Sequence, residues 1–204
     1  MLRLVAVVLG ITLFAEPQFA GVIYSNLGPG QTFSSSTVGT IVPCPPPMFG
    51  PCPASYGQEF TPTASYTLDQ IDIAGTTNFF SIHSLTLAAD SGGLPGAAIE
   101  SLQFAAGTDT LLVATSATHP LLLAGTTYWV WSGFVYGLDQ WNLNSTGATG
   151  GRAIDVSSWA SQGTSTQLAI EITGTAAVPE PASGLIAFLG LAALTLAKSR
   201  IFRV

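Results

Sequence analysis

Between Gly21 and about Thr175, no stretch of the chain repeats its apolar residues at helical spacing over three turns. Apolar residues come instead in short runs separated by glycine and proline, the pattern of half-buried strands joined by turns. Val22-Ile23-Tyr24 opens the series. Tyr66 to Ile73 carries Leu68, Ile71 and Ile73 in a period of two that is broken once around Gln70. Ile82 to Ala88 alternates cleanly, with Leu85 and Leu87 on one face. The run Asp90-Ser91-Gly92-Gly93-Leu94-Pro95-Gly96 is a dense turn signal. Ile99 to Phe104 resumes with Ile99 and Leu102 out of strict register, and Leu111–Thr115 and Leu121–Leu123 follow. Thr126 to Val135 is β-branched and aromatic, the strongest strand signal in the chain. Leu168, Ile170 and Ile172 close the series. Strands at this spacing predict an all-β domain over 21–175, a single β-sandwich or jelly-roll-like ectodomain.

Charge separates this middle from the two ends. Only 8% of the 204 residues are charged, against roughly 25% in an ordinary soluble domain. From Gly21 to Pro181 there are ten acidic residues and one basic one, Arg152, so the middle stands near −9. Nucleic-acid binding needs clustered lysine and arginine to displace counterions, and this distribution excludes it. The remaining basic residues are Arg3, Lys198, Arg200 and Arg203. Confined to the termini, they suit membrane-directed segments.

At the N-terminus, Arg3 precedes a charge-free run from Leu4 to Ala15, with small residues at Ala20-Gly21. A basic n-region, an apolar h-region and a small-residue cleavage point predict a signal peptide over 1–20 and passage through the Sec export machinery. A buried N-terminal helix or strand is the alternative. At the C-terminus, Val178-Pro179-Glu180-Pro181 leads into 16 charge-free residues, Ala182 to Ala197. That is short of the about 20 residues a span normally needs; snorkelling of Lys198 and Arg200 extends it. The tail with Lys198, Arg200 and Arg203 predicts a cytoplasmic C-terminus and an external middle. The prolines keep the approach to the 182–197 helix extended and open to an enzyme.

This order of parts, Pro179-Glu180-Pro181 followed by an apolar helix and a basic tail, resembles the PEP-CTERM sorting signal. The resemblance covers 178–204. It implies a bacterial exopolysaccharide producer and recognition by an exosortase, a membrane-embedded cysteine transpeptidase that removes the tail. It also implies an inner-membrane anchor that is transient, with delivery to the cell surface or extracellular matrix. A plain single-pass anchor is the competing reading.

A second resemblance spans most of Tyr24 to Thr173. Tyr24-Ser25-Asn26-Leu27-Gly28, Tyr66-Thr67-Leu68-Asp69-Gln70-Ile71, Leu85-Thr86-Leu87 with Ser91 to Gly96, and Leu123 to Val130 look like the choice-of-anchor R domain. That family has similar ectodomains on different surface anchors. The resemblance implies an exported, anchored, β-rich protein and supplies no catalytic residues.

Few residues offer chemistry. Cys44 and Cys52 enclose Pro45-Pro46-Pro47-Met48-Phe49-Gly50-Pro51. An exported chain meets oxidising conditions, which favours a disulfide; the alternative, two metal ligands, lacks a nearby third and fourth. His83 lies on the strand face away from Ile82 and Ser84, and His119 precedes Pro120. There is no Gly-x-Ser-x-Gly, and no pair among the sparse carboxylates is singled out for glycoside hydrolysis. Asp90-Ser91-Gly92 and the pair Asp69 and Asp72 offer oxygens to calcium, but aspartate in turns more often binds backbone amides. No cofactor and no metal are expected.

The aromatic residues Tyr128, Trp129, Trp131, Phe134, Tyr136, Trp141 and Trp159 fall in one third of the domain. Trp129 and Trp131 share a strand face. Exposed, they and Trp141 would stack on sugar rings of an exopolysaccharide; buried, they are core. The expectation is a non-enzymatic, exported surface or matrix protein. A carbohydrate-binding module and a membrane-anchored adhesin are the alternatives.

Overall fold

The computed structural model describes residues 20–39, 41–43, 51–77, 83–108, 110–133 and 140–177. The expected signal peptide, the sorting segment with its helix, and Cys44 lie outside them, Ala20 excepted. Among the described residues there is no helix, and two antiparallel sheets face each other across a shared apolar core.

The first sheet is organised by β6 (Tyr66–Thr76), the longest strand. One side of β6 pairs with β15 (Ile170–Ala176), which in turn pairs with β1 (Ala20–Ser25). Farther along that side, β12 (Gln140–Asn144) pairs with the end of β6 and carries β2 (Phe33–Gly39). The other side takes β9 (Thr110–Thr115) and β10 (Leu121–Leu122). The second sheet runs β14 (Trp159–Thr166), β13 (Thr149–Asp155), β5 (Ser55–Phe60), β11 (Tyr128–Gly133), β7 (His83–Asp90) and β8 (Pro95–Phe104). A separate ladder joins β3 (Ile41–Pro43) to β4 (Pro51–Pro53).

The core is the sum of the inward faces. Leu68, Ile71, Ile73, Ile170 and Ile172 from the first sheet meet Phe60, Leu85, Leu87, Tyr128 and Val130 from the second. Burying each such side chain is worth about 1.5–3 kcal/mol, and the alternation read from the sequence supplies them in the right phase. Both breaks in that alternation are bulges. Thr173 faces Gln70 while Gly174 faces Leu68, so Asp69 is the extra residue in β6. Leu68 and Ile71 therefore both point inward with two residues between them. Likewise Leu87 faces Glu100 and Ala88 faces Ala98, leaving Ile99 as the bulged, exposed residue of β8.

The domain begins and ends at one place. Ala20 stands opposite Thr175, so the first and last of the described strands are hydrogen-bonded neighbours. Where β1 stops, the buried Asn26 side chain continues the ladder. Its Nδ2 donates to the Leu168 carbonyl at 2.7 Å and its Oδ1 accepts from the Ile170 amide at 2.8 Å.

Candidate functional site

Alternation in β11 divides its side chains between two environments. Tyr128 and Val130 enter the inter-sheet core, while Trp129 and Trp131 stand on the outer face of the second sheet. There they form a second, smaller apolar layer with Ala88, Ala153, Leu94 and Trp159. Trp129 is 1% exposed. The turn between β7 and β8 closes over it, and its Nε1 donates to Asp90 Oδ1 at 2.8 Å. Trp131 stays half-buried and meets Trp159 edge to face, with centroids 5.6 Å apart and planes at 67°. Small residues make room beneath them: Gly57 lies opposite Trp131, and a Cβ there would come within 3.1 Å of the Trp131 Cβ.

Trp141 belongs elsewhere. It is 1% exposed in the inter-sheet core, and its Nε1 donates to the Ala169 carbonyl at 3.0 Å. Its ring has no face open to a sugar. Of Trp129, Trp131 and Trp141, only Trp131 keeps an open surface, and Trp159 joins it. Sequence placed Trp159 in the aromatic third but not on this face. The exposed β14 has no alternation from which a face can be read.

The titratable groups are mostly engaged in holding turns and strands. His83 is buried and stacked on Phe104 at 5.4 Å. His119 has φ +47°, with Nδ1 2.9 Å from the Leu68 carbonyl and 3.5 Å from Asp69 Oδ1. Asp69 also accepts from the Thr175 hydroxyl at 2.8 Å. Glu100 accepts from Ser116 Oγ at 2.7 Å and from the amides of Ala117 and Thr118 at 2.7 and 3.0 Å. Burial opposes its ionisation, but those hydrogen bonds together outweigh burial and hold the carboxyl below its usual range. Asp72 faces Glu171 across the β6–β15 ladder. Burial, with Glu171 adding to it and Gln70 opposing it, raises the Asp72 pKa. Asp69 and Asp72 thus have separate partners, and the Asp90 carboxylate is taken by Trp129 and the Gly93 amide. Among the described residues no group of three or more His, Cys, Asp or Glu converges as a metal site would need.

Arg152, the one basic residue from 20 to 177 apart from histidine, turns inward. Its Nη1 donates to the Thr166 carbonyl at 3.0 Å and its guanidinium carbon lies 6.0 Å from the centre of the Tyr56 ring. Burial lowers its pKa, against a smaller opposing effect of Tyr56. Its cross-strand neighbour Gln58 is fully buried with neither amide atom partnered. Cys52 lies opposite Val42 in the β3–β4 ladder, and its expected partner Cys44 lies outside the described residues.

No protein-family model, no curated protein and no solved structure matches the chain.

Proposed function

We propose that the chain is an exported, non-enzymatic protein of the bacterial cell surface or extracellular matrix. In this reading it crosses the membrane through the Sec machinery and is held by the 182–197 segment. An exosortase-type transpeptidase then releases it at Pro179-Glu180-Pro181 into the exopolysaccharide. The observation that carries the reading is the order Val178-Pro179-Glu180-Pro181, 16 charge-free residues, then Lys198, Arg200 and Arg203. The β domain is compatible with it in a specific way. Because Ala20 and Thr175 are ladder partners, segments leading from both ends of the domain start on one side of it. A membrane at that side leaves the rest of the sandwich facing outward.

Mass spectrometry of the mature protein tests this. A new C-terminus near Pro181 is expected. An intact Ile201-Phe202-Arg203-Val204 end on most molecules would remove the processing step, leaving a permanently anchored surface adhesin.

A further inference from the structure

We infer that the outer face of the second sheet, at the Trp131–Trp159 pair, binds a neutral polysaccharide. This goes beyond the sorting reading and does not depend on it. The edge-to-face contact fixes two half-buried indoles relative to each other, so little side-chain freedom is lost when a ligand settles on them. Beneath them the sheet is low, and the buried Gly57 and Ala153 form its floor. Trp131, Gly57, Ala153 and Ser161 follow one another across β11, β5, β13 and β14, with only a hydrogen and a methyl group between the indole and the serine. Ser161 and Thr164, both exposed, share this outer face on β14.

An apolar ring surface bordered by hydroxyls matches the surface of a hexose, whose C–H face is apolar and whose rim is hydroxyl. A protein partner would want more. Stable protein interfaces bury about 800 Å² per partner around an apolar centre, whereas among the described residues the partly open apolar surface here consists of Leu94, Trp131 and Trp159. Charge narrows the sugar class. Asp155, the ladder partner of Trp159, and Glu59, that of Trp129, are on this face, while Arg152 faces inward. Among the described residues a uronate or sulfated chain would meet carboxylates and no cation here, so the ligand is uncharged.

The test uses the full chain in detergent micelles on an array of neutral and uronate-bearing glycans. The expected result is retention on at least one neutral polymer, with uronate polymers not retained. Trp131→Ala and Trp159→Ala should each weaken binding about tenfold or more. Leu121→Ser, on the other sheet, should leave binding unchanged. Thermal unfolding of each variant separates lost binding from lost fold. Should Trp131→Ala fail to fold, Trp159→Ser on the exposed edge strand gives the same information. The inference is overturned if no neutral glycan is retained, if uronate polymers bind equally, or if folded tryptophan variants bind like the parent. It is also overturned if their only effect is loss of self-association in sedimentation.

Discussion

Trp129 donates its indole N–H to the Asp90 carboxylate, and the same carboxylate accepts the Gly93 amide at 3.1 Å. One side chain thus shapes the turn between β7 and β8 and pins it over the outer tryptophan layer. The turn backbone needs φ +67° at Gly92 and +82° at Gly93, which glycine supplies without strain. Asp90→Ala is expected to destabilise the domain by about 1–3 kcal/mol, since it leaves the buried indole N–H unpartnered. Trp129→Phe, which removes the donor together with the need for an acceptor, should make a following Asp90→Ala cheaper. Urea unfolding of the double-mutant cycle measures the coupling; additive costs would show that Leu94 packing holds the turn alone.

Asp72 and Glu171 face each other across β6 and β15, and the Asp72 pKa is raised chiefly by burial. A carboxyl with a raised folded pKa contributes stability below its unfolded value, and this is lost as pH rises through the folded value. At neutral pH the buried Asp72 carboxylate therefore works against the ladder, and Glu171 opposite adds to the effect. Asp72→Asn keeps an oxygen for Gln70 and is expected to stabilise the domain by roughly 0.2–1 kcal/mol at pH 7. The gain should vanish below about pH 3.9. Equal gains at both pH values would point to packing as the cause.

Glu100 gives the opposite sign. Its folded pKa is lowered, because the bonds from Ser116, Thr118 and Ala117 overcome its burial. Its contribution is complete above the unfolded glutamate value, about 4.3, and disappears as pH falls through the lower folded value. Glu100→Gln replaces one acceptor by a donor facing the Ser116 hydroxyl or the loop amides. A loss of about 1–3 kcal/mol is expected at pH 7, shrinking on acidification. Thermal melts of the two proteins from pH 7 to pH 3 follow the difference; a constant offset would deny Glu100 its electrostatic part.

These residues show where sequence reading succeeds. The inward faces of β6, β7 and β15 were legible because leucine and isoleucine recur in phase there. The broken periods at Gln70 in β6 and at Ile99 in β8 are bulges. By contrast β2, β13 and β14 carry Ser, Thr and Gly where the pattern needs apolar residues. They are strands because neighbours pair with them, a cause that lies far along the chain. The same distance hid the site. Trp131 and Trp159 meet only after β5 and β13 come between β11 and β14, and neither residue's own surroundings announce the other. Trp141 differs from Trp131 in fate because it sits on the inward phase of β12, a strand too short to read.

Gln58 offers the most direct test of the core. It is fully buried on the inner face of β5 between Val130 and Arg152, and both amide atoms lack a partner. The neighbouring Ser132 hydroxyl and Arg152 Nε are unpartnered as well. A buried polar group without hydrogen bonds costs about 1–3 kcal/mol relative to one that has them. Gln58→Met replaces the amide by a thioether of similar length and should raise the urea midpoint with an unchanged slope, corresponding to about 1–3 kcal/mol. Gln58→Ala should not, because it removes the polar atoms but opens a cavity. If Gln58→Met lowers the midpoint instead, the amide is satisfied in solution. Ordered water bridging it to Ser132 and Arg152 would then be part of the folded core.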